Sequence, residues 1–439
     1  MLGVLKNRTY RHLFLAQVVA LLGTGLATVA LGLLAFDLVG DRAGAVLGSI
    51  YAMKMVAYVG FAPLAAAVGS RFDRKRMLVL LDLVRAGVAV LLPFVTEVWQ
   101  IYALLFVLYL ASAAFTPTFQ ASIPEVLPKD DDYTNALSLS RLAHDLESLL
   151  SPALAAALLL AFDSSTLFLA TTVGFVASAL LVVSVALPSP RAQKRRSFAE
   201  ETTRGLRIYL ATPRLRGLFA VNLAVASAGA MVIVNTVVLV QGDLGLGERS
   251  TAIALAVFGA GSMLAALVLP RALSVLPDRP IMLTSVVLMF VGLLFGAWAD
   301  SFGLLLVLWL VLGVGYSAAQ TPSGRLLKRS AHSEDRPALF AAQFALSHSC
   351  WLVAYPLAGF LGSTWGLDRT FLVLAGLAAL ALVIALRLWP ASEHEEVWHV
   401  HPELDASHPH WEDGEPSTDC AHRHAFVIDD LHPRWPAAP

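Results

Sequence analysis

Charged residues are scarce in this chain, and cysteine is almost missing. Of the 439 residues, 14% are charged and 57% are hydrophobic, whereas a soluble domain has roughly 25% charged and 45–50% apolar residues. The composition therefore excludes a water-soluble globular body. The two cysteines, Cys350 and Cys420, suit no disulfide framework.

The motifs of several function classes are also missing. The chain has no glycine-rich P-loop for nucleotide phosphates, so ATP-driven activity is not expected. No pair of nucleophile and base and no catalytic metal motif stands out. We therefore predict a protein that is not an enzyme, requires no cofactor and has no nucleic-acid partner.

Long apolar runs are the main feature of the sequence. Twelve segments approach the ~20 residues that a helix needs to cross ~30 Å of hydrocarbon. The first segment has no signal-peptidase site after it and is expected to be retained. We predict an all-α polytopic protein of the cell membrane, embedded in the lipid bilayer, with helices near residues 12–38, 44–68, 77–96, 100–122, 136–161, 165–187, 215–240, 249–269, 280–298, 302–323, 337–361 and 367–389.

The loops on one side of the predicted bundle are basic. They lie before the first segment, between the second and third, in the central loop, and between the tenth and eleventh. Loops rich in Lys and Arg remain on the cytoplasmic side of a membrane. We therefore predict that both termini and the central loop are cytoplasmic.

The second half of the chain repeats the first. At a shift of 205 residues, Arg11–Gln17 falls on Arg216–Asn222 and Thr116–Pro117 falls on Thr321–Pro322, and Asp73 falls on Asp278. The chain is thus predicted to be a parallel duplication of a six-helix unit, which places a shared site near the midplane between the halves. The predicted parts are a six-helix bundle at 1–187, a cytoplasmic loop at 188–214, a second bundle at 215–389 and a tail at 390–439.

The central loop contains a mixed-charge run at Phe198–Leu210. This run is typical of an amphipathic helix lying on the membrane surface. For this segment we favour a solvated linker over a regulatory or lipid-binding element.

Several local patterns resemble the major facilitator superfamily over residues 1–389. They are the opening stretch Asn7–Phe14, the pair Asp82 and Arg85, and the stretch Phe119–Glu125, and the last two resemble the exporter-like branch that includes drug:proton antiporters. The resemblance implies twelve transmembrane helices in two pseudo-symmetric six-helix bundles, a monomer, and export by alternating access driven by protons.

The loop after the second helix resembles the signature of that family, with departures. Its basic residues are kept, but the signature Asp falls on Ser70 and a later Gly falls on Asp73. In this interpretation Asp73 takes the place of the missing Asp, and Asp82 and Arg85 form a structural pair near the gate. The resemblance assigns a gating role to Arg71, Asp73, Arg74, Asp82 and Arg85.

The fifth predicted helix carries an unusual set of ionisable residues, Arg141, His144, Asp145 and Glu147. A charge in hydrocarbon is costly, so such groups face a bundle interior or a watery cavity. His144 and Glu147 lie three residues apart, a spacing that suits either a divalent transition metal or a proton relay. Arg141 is expected to keep Asp145 ionised. A cluster that only locks helix packing is the alternative.

The repeat gives this cluster a partner. Adding 204 to the number of His144 leads to His348 on the eleventh helix. Gln17 and Asn222 form a second symmetric polar pair, expected to line the cavity. Lys54, in the middle of the second helix, is too deep to reach the membrane surface easily and is also predicted to face the cavity.

The tail after Pro390 has a different composition. It contains eight of the twelve histidines and eleven carboxylates, and it has too little apolar content to fold alone, so it is predicted to be disordered. Such tracts favour binding of a transition metal, and an acidic solubilising tail is the alternative. The predicted metal ligands in the tail are His399, His401, His408, His410, His422 and His424.

Three functional hypotheses remain open. The first is a proton-coupled exporter of a divalent metal such as nickel or cobalt, bound by His144, Glu147 and His348, because a His-rich tail is similar to that of nickel- and cobalt-resistance exporters. The second is an exporter of organic compounds. The third is a membrane sensor that transports nothing. In the first two, Asp145 or Glu147 carries the proton.

Overall fold

The computed structural model describes residues 1–39, 43–69, 72–188, 197–391, 396–400, 415–416 and 421–435. Several predicted residues lie outside this part of the chain, namely Arg71, His401, His408 and His410. For strand residues His399, His422 and His424, only the backbone is described.

The described chain is helical apart from its tail. The N-terminal half contains α1 (Arg8–Val39), α2 (Ala43–Gly69), α3 (Arg74–Leu91), α4 (Val98–Val126), α5 (Asp130–Leu159) and α6 (Ser165–Val183). The central loop forms α7 (Phe198–Ala211). The C-terminal half contains α8 (Pro213–Val237), α9 (Glu248–Val275), α10 (Asp278–Gly296), α11 (Phe302–Gln320), the short α12 (Ser323–Arg329), α13 (Arg336–Trp365) and α14 (Leu367–Leu388).

Twelve of these described helices correspond to the twelve predicted segments. Eleven are long and apolar enough to cross a membrane by composition alone. The exception is α5, which has 30 residues but carries three acidic residues in its first turn as well as Arg141, Asp145 and Glu147. At ~1.5 Å per residue it is long enough to span the bilayer. Residues of neighbouring helices pair with its charges, so a criterion based on composition alone does not recognise α5 as a membrane-spanning helix.

The helices of each half pack on one another, and the two halves meet at interfaces that the repeat relates to each other. Helix α1 packs on α6 and α5, and α9 packs on α11. Between the halves, α5 lies against α9 and α2 lies against α13. Because α5 corresponds to α13 and α2 to α9 in the repeat, these two interfaces are equivalent under the duplication.

Small residues allow the closest of these approaches. A Cβ atom on Gly313 of α11 would lie 2.0 Å from the carbonyl oxygen of Phe258 on α9. A Cβ atom on Gly174 of α6 would lie 2.8 Å from the carbonyl oxygen of Val19 on α1. Backbones in contact at glycine are typical of helices packed in membranes, where dispersion and not the hydrophobic effect drives association.

The described part of the tail, 396–400, 415–416 and 421–435, is structured where disorder was predicted. It forms β1 (Glu396–Val400), β2 (Glu415–Pro416) and β3 (Ala421–Ala425), joined antiparallel in the order β1-β3-β2. Residues 426–435 then pack onto the C-terminal half, where Phe426 and Ile428 are buried. The prediction considered only whether the tail could fold alone. Its last segment needs no core of its own because the helical body supplies one.

Helix α7 also lies elsewhere than expected. The sequence favoured a solvated linker, with an amphipathic helix on the membrane surface as the other possibility, and a helix is present over nearly the range Phe198–Leu210. Its residues Arg204, Ile208 and Tyr209 are buried against protein. The helix packs mainly on α13 and also on α2.

Candidate functional site

The ionisable residues of α5 occupy distinct sides of the helix. At ~100° per residue, Arg141 and Asp145 share one side. Leu146, Leu150 and Leu154 share another, and all three are exposed, as expected of a side that faces lipid. Side chains on the remaining sides therefore point into the bundle.

Arg141 and Asp145 form a cluster that joins the two halves. The Arg141 Nη2 atom donates to Asp145 Oδ1 at 2.5 Å, and its Nε atom donates to Ser262 Oγ at 3.1 Å. Ser262, fully buried on α9, donates in turn to Asp145 Oδ2 at 2.7 Å. The Arg141 guanidinium also lies 4.8 Å from the ring centroid of Tyr316 on α11. The two charges are thus paired and hydrogen-bonded, as buried ions must be.

Glu147 lies on the side of α5 that faces α1. Its Oε1 atom accepts a hydrogen bond from Ser151 at 3.3 Å. Gly25 of α1 makes room for it, because a Cβ atom there would lie 2.3 Å from the same oxygen. About two turns toward the helix start, Ser140 donates to Gln17 Oε1 on α1 at 2.9 Å. Gln17 therefore holds α1 to α5.

His144 lies between the side of α5 that faces α1 and the side that faces α9. It is exposed although it sits in the middle of the helix and away from the leucine side. Its exposure is therefore toward the space between the halves. That His144 lines a substrate cavity stays a prediction.

His348 lies in an aromatic cluster on the opposite interface. Its Nδ1 atom is 2.7 Å from the carbonyl oxygen of Phe344, and because a carbonyl only accepts, Nδ1 donates and Nε2 is left for other partners. The imidazole ring packs 4.1 Å from the ring of Phe344 and 4.9 Å from the ring of Tyr58 on α2.

Lys54 connects the two sides electrostatically. Its ammonium group lies 5.6 Å and 5.9 Å from the ring centroids of Tyr58 and Tyr109, within the range of cation–π attraction. The same charge acts on both Glu147 and His348. Lys54 therefore lies beside the rings of Tyr58 and Tyr109, and its role in a cavity stays a prediction.

Aromatic side chains follow one side of α13. Phe344, His348, Trp351 and Tyr355 are spaced by four, three and four residues, which is one helical face. The ring centroids of Trp351 and Tyr355 are 4.8 Å apart, and those of Trp351 and Tyr316 are 6.4 Å apart. We call these four residues of α13 the aromatic face.

Asn222 occupies a position that differs from the prediction. It is 7% exposed, and its Nδ2 atom reaches Gln343 Oε1 on α13 at 3.5 Å. Gln343 also accepts from Tyr209 on α7 at 2.6 Å. Asn222 therefore holds α8 to α13 and does not line an open cavity. Gln17 does the same for α1 and α5, so the symmetric pair has symmetric contacts.

The three predicted metal ligands in the membrane are not brought together. Within the part of the chain that the structure describes, no group of three or more His, Cys, Asp and Glu residues is arranged to hold a metal ion. The reason is the duplication itself. His144 belongs to the interface of α5 with α9, and His348 belongs to the interface of α13 with α2.

Charged residues join the halves at one end of the bundle. Arg336 donates to Glu125 at 2.9 Å, Lys328 pairs with Asp130 at 2.6 Å, and Arg325 donates to Thr134 at 2.7 Å. We call this the basic end; it is the side predicted to be cytoplasmic. In each pair one residue belongs to the C-terminal half and the other to the N-terminal half, so the basic end is closed.

Two predicted gating residues lie at this end. The Asp73 carboxylate caps α3 by accepting from the backbone N–H of Arg76 at 2.9 Å. Arg74 is buried, and the charges of Glu125 and Arg336 both act on it. Arg74 is therefore next to the contact between the halves. Glu125 and Arg336 complete that contact, and the charge pattern alone did not reveal either residue.

Asp82 and Arg85 lie inside the N-terminal half. Arg85 donates to Asp82, whose other oxygen accepts from Ser178 on α6 at 2.8 Å. The Arg85 guanidinium lies 3.9 Å and 4.6 Å from the rings of Phe115 and Phe175. All these partners belong to one half, so the pair ties α3 to α4 and α6 and does not bridge the gate.

Comparison with known proteins agrees with this geometry. The family model described as Major Facilitator Superfamily matches residues 13–269 and 218–409. The chain belongs to the major facilitator superfamily. Members of that superfamily are transporters and not enzymes, and they need no cofactor.

Relatives of this major facilitator chain include efflux proteins. Over 152 residues it is 27% identical to macrolide efflux protein A of Streptococcus pyogenes, covering 32% of this chain and 37% of that protein. Over 120 residues it is 29% identical to an uncharacterized MFS-type transporter, YfiS, of Bacillus subtilis, covering 27% and 28%. The chain thus spans about a third of the length of these relatives.

Solved structures share the fold. The crystal structure of the human organic anion transporter MFSD10 (TETRAN) has a TM-score of 0.75 at 13% identity, covering 86% of this chain and 99% of that one. A bacterial homologue of the iron transporter ferroportin, in an outward-facing state, has a TM-score of 0.72 at 14% identity, covering 87% and 99%. At such identities these likenesses concern the fold alone.

Proposed function

We propose that this transporter is a proton-coupled exporter in the cell membrane that takes an organic molecule from the cytoplasm. The observation that supports this best is the aromatic face of α13 opposite the charged side of α5. Binding sites for small organic molecules are mainly apolar and aromatic, with a few polar groups that orient the ligand. Relatives named as macrolide efflux proteins favour the same substrate class.

Glu147 is our choice for the proton carrier. Asp145 already has a guanidinium and a serine hydroxyl as partners, so protonation would break both. In the part of the chain that the structure describes, the Glu147 carboxylate has one hydrogen-bond donor, Ser151, and a distant cation, Lys54. A carboxylate with few partners gains and loses a proton at less cost than one in a buried pair.

Transport assays in proteoliposomes test this proposal. A pH-sensitive dye inside the vesicles would report substrate-dependent proton movement for a panel of macrolides, cationic dyes, nickel and cobalt. We expect organic compounds to move protons and the metals to have no effect. If only the metals move protons, the organic-substrate proposal is wrong and the metal hypothesis replaces it.

The metal hypothesis retains one supporting observation, the tail. Eight histidines lie between residues 394 and 432, and imidazole is a preferred ligand of nickel, cobalt, copper and zinc. Replacing His399, His401, His408, His410, His422 and His424 together by Gln should lower metal resistance in a sensitive host if the tail collects metal. Unchanged resistance to nickel and cobalt would leave the tail with another role.

The sensor hypothesis has the least support. A protein that only reports a signal does not require two duplicated halves with charges placed between them. Arg141 contacts Asp145 on its own half and Ser262 on the other half, and this charged contact between the halves supports a transporter. Substrate-dependent proton movement in the same vesicles would exclude a sensor that transports nothing.

A further inference from the structure

Residues 426–435 of the tail, which we call the strap, lie on the basic end of the C-terminal half. Phe426 and Ile428 are 4% and 2% exposed. The Trp435 ring lies 5.1 Å from Phe426 and 5.4 Å from the guanidinium of Arg214 on α8. The strap is thus docked by apolar burial and by a cation–π contact.

A turn inside the strap fixes its shape. Asp429 Oδ1 accepts from the backbone N–H groups of Leu431 and His432 at 2.9 Å and 2.7 Å. Its carboxylate also lies 2.9 Å from His432 Nδ1 and 3.5 Å from His332 Nε2, in the loop before α13. Asp429 therefore both organises the turn and joins it to that loop.

One arginine connects the strap to the central loop and to α13. Arg204 of α7 donates through Nε and Nη2 to the two oxygens of Asp335, each at 2.8 Å, and through Nη1 to Asp430 at 2.5 Å. Arg204 and Asp335 are buried, whereas Asp430 is half-exposed. Bidentate pairs of this kind are strong and directional.

Helix α7 is in turn pressed against α13. A Cβ atom on Gly205 would lie 2.0 Å from the carbonyl oxygen of Ala338, so the two backbones touch there. Tyr209 donates to Gln343 at 2.6 Å on the same side. Because α7 also packs on α2, it lies across the junction of the two halves.

The strap and the closed gate meet at consecutive residues. Asp335 holds Arg204, and Arg336, the next residue, holds Glu125 of the N-terminal half. A movement of this first turn of α13 changes both contacts together. Two ion pairs on adjacent residues leave this turn little freedom to change its position.

We propose that the strap is a releasable clamp that holds α7 on the first turn of α13 and thereby stabilises the closed state of the basic end. Release of the strap loosens α7, frees the first turn of α13 and favours opening.

Distance measurements between spin labels test this without any substrate. In a background with Cys350→Ala and Cys420→Ser, labels at Lys129→Cys and Ser274→Cys report the separation of the two halves at the basic end, since both sites are exposed. Ending the chain after Ala425 removes the strap and retains every histidine except His432. We expect the population with the long distance to rise roughly tenfold, within the usual range of coupling between sites.

A milder variant tests the same contact in case the shortened chain misfolds. Asp430→Asn removes the strap's ion pair and leaves the Arg204–Asp335 pair intact, so we expect a rise of about twofold to fivefold, as for a partly exposed pair. Asp300→Asn, which removes an exposed carboxylate at the other end of α10, should change nothing. Distance distributions unchanged by both strap variants, in folded protein, would overturn the proposal, whatever the outcome of the transport assays.

Discussion

The two carboxylates of α5 have different surroundings, so they should respond differently to neutralisation. Glu147→Gln should leave folding intact and abolish transport driven by a pH gradient, because the proton carrier is gone while the cavity is kept. Exchange of substrate across the vesicle membrane without a gradient should continue. Loss of exchange together with uptake would mean that Glu147 binds substrate and does not carry the proton.

Asp145→Asn should instead affect stability. It leaves the Arg141 guanidinium without its counter-charge between two halves, and breaking a buried pair costs roughly 3–5 kcal/mol. Thermal unfolding in detergent should therefore begin at a lower temperature for Asp145→Asn than for Glu147→Gln. Equal unfolding temperatures would contradict the assignment of Asp145 to a structural pair.

At the scale of single elements, the packing of α11 on α9 depends on a glycine. Gly313→Ala places a methyl group against the backbone of Phe258, and overpacking of this kind costs about 1–3 kcal/mol. Gly303→Ala, at the start of the same helix, meets no atom within 4 Å. Thermal unfolding should show a loss for Gly313→Ala and none for Gly303→Ala; equal effects would mean that α9 and α11 are further apart than described.

The strap should respond to pH through the loop before α13. The hydrogen bond with Asp429 raises the pKa of His332 above its ordinary value, against the effect of burial, and Glu334 and Asp335 in the same loop act in the same direction. Burial raises the pKa of Asp429, but hydrogen bonds from His332 and His432 lower it overall. Arg204 and Arg214 are the cations nearby, on α7 and α8.

The sign of the effect follows from these directions. Because docking of the strap raises the pKa of His332, the protonated His332 stabilises docking below about pH 6.5, and this contribution is lost as pH rises through the raised pKa. Because docking lowers the pKa of Asp429, its carboxylate stabilises docking above about pH 4. We expect the open population of the labelled protein to be larger at pH 8 than at pH 6, and His332→Gln to remove that difference. A pH-independent distribution in the parent protein would contradict this role of His332.

At the scale of the whole molecule, closure of the basic end depends on a carboxylate between two cations. Glu125→Gln leaves Arg74 and Arg336 facing each other without a negative charge, so the open population should rise several-fold. Asp131→Asn, an exposed neighbour at the start of α5, is the matched control. The spin-label pair that reports strap release measures both; an unchanged Glu125→Gln distribution would show that other contacts keep the gate closed.

The sequence was sufficient for the fold and for some of the site. Twelve apolar segments and the repeat predicted the duplicated six-helix unit, and the resemblance of local motifs predicted the superfamily, which the family match confirms. The spacing of Arg141 and Asp145 predicted a paired cluster. Ser262 and Tyr316 could not be found in this way, because uncharged residues on other helices carry no signal of depth or direction. Symmetry was misleading for His348, since equivalent positions in a duplicated chain lie at opposite interfaces.

The position of the strap in the chain has a consequence for biosynthesis. Residues 426–435 follow α14 in sequence, so they dock only after α14 has been made. Until then the contacts between α7 and α13 include those of Arg204, Gly205 and Tyr209 but not those of the strap. A chain that stops before residue 426 has α1 to α14 and no clamp, so docking of the strap marks a chain whose synthesis has passed α14.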